Sequence, residues 1–148
     1  MIADVGAVMA GVRLENDGAT IIVRSERGAM RLRLLSRTVI EIAVLGIGDG
    51  ILVAPALEHA RPWLFDAGKA TVFIDLSEMT AHDTDFRKEW THWLLNTVGD
   101  LLGVHVLGDP RAVYAAVPAS SVVLSDLVRQ TRDRVAFDSI KREAVWNG

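Results

Sequence analysis

The chain contains no cysteine. That excludes disulfide staples, thiolate zinc sites and cysteine nucleophiles together, and it suits a reducing cytoplasm. Proline is scarce, with four residues in 148, and no Pro/Ser linker, repeat or low-complexity tract divides the sequence, so a single domain is expected. No run approaches the roughly 20 apolar residues that a membrane-spanning helix needs. The N-terminal stretch is apolar but short, carries Asp4 and lacks the basic n-region of a signal peptide, which makes the expectation a cytoplasmic chain. Excess positive charge is also missing: Lys and Arg number 16 against 19 Asp and Glu, a balance that argues against a dedicated nucleic-acid binder.

What is present is ordinary globular composition, half of it apolar and about a quarter charged, in a length that buries one core without metals or disulfides. Residues 1–11 read as an N-terminal extension and 12–148 as the domain. The first third looks strand-rich: Val12 to Glu15, Ala19 to Arg24, Ala29 to Leu35 and Thr38 to Leu45, with Asp17-Gly18 and Arg27-Gly28 as turns. Alternation in Met30-Arg31-Leu32-Arg33-Leu34 puts two arginines on one face and three apolar side chains on the other, so one side of this sheet is expected to meet solvent. Thr38 to Leu45 is more uniformly apolar and should lie deeper.

Beyond Gly46-Ile47-Gly48-Asp49-Gly50 the pattern becomes helical from about Pro55 to Phe65. Asp66-Ala67-Gly68 is suited to the stop, and Pro62 is expected to kink or interrupt the helix. Thr71 to Leu76 reads as a strand covered on both faces, and Gly103 to Leu107 repeats that character more weakly. Between them, Phe86 to Leu102 predicts a helix. At roughly 100° per residue, Phe86, Trp90, Trp93, Leu94, Val98 and Leu101 fall in one apolar stripe, with Lys88, Glu89, His92, Asn96 and Asp100 opposite. The remainder predicts a helix from Pro110 to about Val117, an irregular or helical stretch through Leu124, a short strand at Leu127 to Thr131, and a closing helix from Arg134 to Trp146 with Asp133 as its N-cap. The fold class implied is α/β: a mixed sheet with parallel central strands and helices packed on at least one face.

In such a sheet, partners and ligands meet the carboxyl ends of the parallel strands, where helix N-termini offer unpaired N–H groups. The segment from Asp75 to Asp85 occupies that position. Asp83, Thr84 and Asp85 are all good N-caps ahead of Phe86, and capping alone accounts for such residues.

Ile74-Asp75-Leu76-Ser77, followed by Glu78-Met79-Thr80-Ala81-His82 and then Asp83-Thr84-Asp85-Phe86, resembles the switch segment of STAS domains, the fold of bacterial anti-sigma-factor antagonists. In that family a strand ending near Leu-Asp-Leu-Ser precedes Asp-Ser-Ser-Gly at a helix start, and the second serine is phosphorylated in switchable members. Asp83 matches the motif's aspartate, Thr84 its first serine and Asp85 the phosphorylated serine. The chain departs from the pattern in two places: a carboxylate stands where the phosphate is received, and Phe86 replaces the glycine. The resemblance therefore implies a STAS-like module that is unswitched or switched differently, with a fixed negative charge at a helix N-terminus. It implies a non-enzymatic regulatory or scaffold protein that docks a signalling partner, such as an anti-sigma factor or kinase-like protein, through Ser77, Thr80, Asp83, Thr84, Asp85 and Arg87. The alternative is a small-molecule or lipid binder of the related CRAL-TRIO type, with an apolar cavity under its helices.

Other motifs lead less far. Gly46-Ile47-Gly48-Asp49-Gly50 has the start of a dinucleotide fingerprint, but its third glycine would fall at Ile51, so a plain turn is the expectation and no cofactor is assigned. His82, Asp83 and Asp85 lack ligand spacing with His59, His92 or His105, so no metal is assigned. Ser77 lacks the elbow that presents a nucleophile. Arg24, Arg27, Arg31, Arg33 and Arg37 read as a solvated sheet face or, functionally, as an electrostatically marked docking surface that could be self-complementary in a homodimer. Trp90 and Trp93 belong to the apolar stripe; Trp63 and Trp146 receive no assignment.

Overall fold

The computed structural model describes residues 7–9, 11–109, 126–131 and 133–147. The expected helix at Pro110 to Val117 and the stretch through Leu124 lie outside them. Five strands come first: β1 (Ala7–Met9), β2 (Val12–Asn16), β3 (Thr20–Arg24), β4 (Gly28–Ser36) and β5 (Val39–Gly48). They pair antiparallel in sequence order. Part of the stretch read as an extension thus supplies an edge strand. Helix α1 (Gly50–Ala67), β6 (Ala70–Asp75), β7 (Met79–His82), α2 (Thr84–Thr97), a 3-10 turn (Val98–Asp100), β8 (Leu101–Leu107), β9 (Val128–Thr131) and α3 (Arg134–Asn147) complete the described elements. Among the described residues they form one nine-stranded sheet, ordered β1-β2-β3-β4-β5-β6-β8-β9, with β7 paired to β5 beyond the end of β6. The contacts β5·β6, β5·β7, β6·β8 and β8·β9 are parallel. The protein is a mixed-sheet α/β fold.

The hairpins form where the turn chemistry places them. Gly18 takes φ 97°, Asn16 accepts from its N–H, and Asp17 accepts from the N–H groups of Ala19 and Thr20. Trp63 on α1 donates its indole N–H to the Gly18 carbonyl at 3.2 Å, which ties the helix to this hairpin.

Period-two alternation divides the sheet into two faces. Ile21, Val23, Met30, Leu32, Ile40, Ile42, Val44, Val72, Ile74, Val104 and Val106 pack with α1 and α2 in the main core. On the other face Val39, Phe73 and Leu107 pack with Phe137 of α3. Both faces of the central strands are therefore covered, which explains their continuous apolar runs.

Two helix boundaries differ from the sequence reading. α1 starts at Gly50, not Pro55, and runs through both Pro55 and Pro62 without interruption. Its start is moved forward because Asp49 caps it, accepting from the Ile51 N–H. Gly68, at φ 75°, closes it as expected. α2 ends at Thr97, and Leu101 begins β8 rather than continuing the helical stripe. Phe86, Trp90 and Leu94 are buried as the stripe requires, and Trp93 packs at its margin. Gly99 and the pairing of Leu101 with Ala70 favour the switch from helix to strand.

Candidate functional site

The N-termini of α1 and α2 meet above the ends of β5 and β7, and Asp83 joins them. Its Oδ1 accepts from the Phe86 N–H at 2.8 Å, which caps α2, and from the Gly50 N–H at 3.1 Å, which serves the first turn of α1. Each of those donors would otherwise be orphaned at a helix end. The Asp83 N–H donates to the Gly48 carbonyl at 3.0 Å. One side chain thus fixes the angle between two helices.

Arg27, from the β3–β4 turn, neutralises this acidic junction. Its Nη1 lies 3.6 Å from Asp83 and its Nε 4.0 Å from Asp49. The Ser25 hydroxyl donates to Asp49 at 3.1 Å and accepts from the N–H groups of Arg27 and Gly28. Asp49 is only 5% exposed, and burial of a carboxylate requires such partners.

The glycines of the junction are there for close approach. A Cβ on Gly50 would lie 2.4 Å from Asp85 Cβ, and one on Gly28 would lie 2.2 Å from the Ile47 carbonyl oxygen. Gly46 takes φ 74°. The segment read as a plain glycine turn is instead the end of a strand followed at once by a helix.

Ser77 belongs to a different cluster. Its backbone N–H and hydroxyl donate to Asp75 Oδ1 at 2.9 and 2.6 Å, and its oxygen accepts from Arg134 Nη2 at 2.7 Å. Arg134 also donates to Asp75 Oδ2 at 2.9 Å and pairs with Asp138 one turn along α3. Burial pushes the Asp75 carboxyl up, but the Ser77 hydroxyl and N–H and the Arg134 guanidinium outweigh it and hold the carboxyl below its ordinary value. The Asp75 hydrogen bond, with the charges of Asp75 and Asp138, raises Arg134 against the opposing effect of burial.

A second carboxylate tethers α3 further along. Glu41, 4% exposed, accepts from Arg33 directly across the β4–β5 pair and from Lys141 on α3. Burial raises its carboxyl, and the bonds from Lys141 and Arg33 reverse that and lower it. His105 stacks on Phe73 with ring centroids 4.8 Å apart. Burial, then the neighbouring Arg129, pushes its imidazole down.

The six residues singled out from the sequence therefore separate. Asp83 is half-buried and structural. Thr84 and Asp85 are exposed in the first turn of α2, with Asp85 well placed against the helix dipole. Thr80 is exposed on β7, a strand the sequence reading took for a polar connection, and Arg87 is half-buried on α2. Ser77 is exposed but held by Asp75 and Arg134. His82 lies near the Phe86 ring, and among the described residues it forms no ligand cluster with Asp83 and Asp85.

Sequence reasoning missed Glu41, Lys141 and Arg134 as site residues, and it placed Arg27 in a basic sheet face where the structure puts it against Asp49 and Asp83. The signal for Glu41 was present: one acid between Ile40 and Ile42 in an otherwise apolar strand requires a buried partner.

The architecture defines an α/β protein whose exposed polar segment links the parallel strand ends to a helix start. No protein-family model, curated protein or solved structure matches the chain. Among the described residues, no helix is long and apolar enough to cross a membrane.

Proposed function

We propose that this chain is a non-enzymatic protein-interaction module, docking a partner over residues 77–87. More particularly, it is a STAS-type regulatory or scaffold module whose partner is a signalling protein, such as an anti-sigma factor or a kinase-like protein, in the cytoplasm.

The observation that carries this reading is the contrast between backbone and side chains in the segment. Its backbone is anchored at Asp83, which is bound to two helices and to Gly48, while Ser77, Glu78, Thr80, Ala81, His82, Thr84 and Asp85 are exposed. Among the described residues β7 pairs only with β5, so its outer edge offers backbone groups to an incoming strand or loop. A rigid frame with adaptable polar side chains reduces the ordering cost of binding. Asp85 supplies the fixed negative charge from which the STAS resemblance draws its unswitched character, and Thr84 is the neighbouring hydroxyl open to modification.

The test is affinity capture from the native cells with wild type and with Asp85→Lys, alongside mass spectrometry of Thr84. Loss of a specific signalling partner is expected from a variant that stays folded, its melting temperature lowered only by the lost interaction of Asp85 with the α2 dipole. Retention of every specific partner would remove the docking surface, and stoichiometric phosphate on Thr84 would overturn the unswitched form.

A further inference from the structure

We propose that copies of this chain associate head to tail, the outward stripe of α3 on one copy seating in the groove between α1 and α2 on the next. The groove has a volume of about 480 Å³ and an apolar base that includes Val53, Leu57, Leu64 and Trp93. Glu89 and Asp100 stand at its margin, and among the described residues neither has an ion-pair partner. Phe65, 87% exposed, lies on the same rim.

The complementary surface is on the far side of the molecule. With Phe137 turned to the sheet, Val135, Ser139, Arg142 and Trp146 fall within about 60° of one another on the outside of α3, at 3.6 residues per turn. Val135 is 72% and Trp146 89% exposed, apolar area whose burial against a partner would be favourable. Arg142 has no ion pair among the described residues. The stripe therefore offers two apolar anchors about 16 Å apart along the helix with a free guanidinium between them, and the groove offers an apolar floor with two free carboxylates, Glu89 and Asp100, on a rim that also carries the Glu58–Arg61 pair. This is the helix-in-groove mode of recognition, with an aromatic anchor and charges that set its orientation.

The geometry fixes the kind of assembly. α1 and α2 cover one face of the sheet and α3 the other, so a chain's own α3 stripe faces away from its own groove. The two surfaces differ, which makes the contact heterologous: each copy has one helix to give and one groove to fill, and the association propagates unless a rotation closes it into a ring.

Sedimentation velocity across a concentration series tests this with the full chain. Wild type is expected to grow beyond a dimer. Trp146→Glu, which spoils the helix, and Glu89→Arg with Asp100→Arg, which spoils the groove, should each weaken self-association at least about tenfold. Mixed one to one, those variants retain one good helix and one good groove between them, so they should form a heterodimer and stop there. Arg142→Glu should restore growth when combined with the two groove arginines, which keeps the test valid if Trp146→Glu folds poorly. Wild type that stays monomeric up to its solubility limit, or that stops at a symmetric dimer, or variants that assemble as wild type does, would each overturn the proposal.

Discussion

At the residue scale, Asp83 carries more structure than any other polar side chain of the site. An N-cap contributes about 1 kcal/mol, and Asp83 serves two helices, so Asp83→Ala is expected to destabilise by roughly 2 kcal/mol in urea unfolding. Asp83→Asn keeps an oxygen that can accept both bonds and should recover most of that. The pH dependence follows from the carboxylates that hold α3. The folded values of Asp75 and Glu41 are depressed, so their stabilisation is complete above the unfolded values, about 4, and is lost as pH falls through the folded ones. Asp75→Asn should therefore be less stable than wild type at neutral pH, with the difference narrowing in acid; urea midpoints at several pH values check it. His105 is also depressed. The folded state favours the neutral ring, so this contribution is present above about 6.5 and is lost as pH falls through the folded value. NMR titration should place His105 below a free imidazole, and His105→Phe should remove that part of the pH dependence while keeping the stack on Phe73. Of these residues, Asp83 was legible as a cap because capping is local. Its second bond, to Gly50, joins residues 33 positions apart, and nothing in periodicity points to it.

At the element scale, the alternating strands and the apolar stripe of α2 were readable because their signals lie within a few residues. The start of α1 was not, since it depends on Asp49 and on Asp83 from a later segment, both of which satisfy donors ahead of Pro55. β7 was also hidden: four residues, mostly exposed, carry no apolar alternation, and the strand exists because β5 extends past β6 and leaves Gly46 to Gly48 to be paired. The helix junction makes its own prediction. Gly50→Ala would push a methyl group into Asp85 and the α2 backbone, and overpacking of this kind costs about 1–3 kcal/mol. The loss should appear in chemical denaturation, and faster amide exchange should be confined to the first turns of α1 and α2. Helix α3 is held chiefly by Phe137 and two charged tethers. Arg134→Gln should accordingly raise exchange in α3 before it affects the main sheet.

At the scale of the whole molecule, the mixed sheet, its parallel centre and its helical cover follow from strand-rich sequence giving way to alternating helix and strand. The placement of helices on both faces was only half legible, because the residues that distinguish them, Phe73 and Phe137, lie far apart in sequence. The central claim is that the frame built by Asp83 exists to present residues 77–87 to a partner, and that claim is functional, resting on exposure, rigidity and a resemblance. Quantitative affinity capture from native cells tests it most directly, comparing wild type, Asp85→Lys and, as a charge reversal on the exposed α1–β6 connection, Lys69→Glu. The account predicts that a specific partner is retained by wild type and Lys69→Glu and falls at least about tenfold with Asp85→Lys, as for a charge at a specific contact. A folded Asp85→Lys variant that keeps every specific partner at wild-type levels would contradict it.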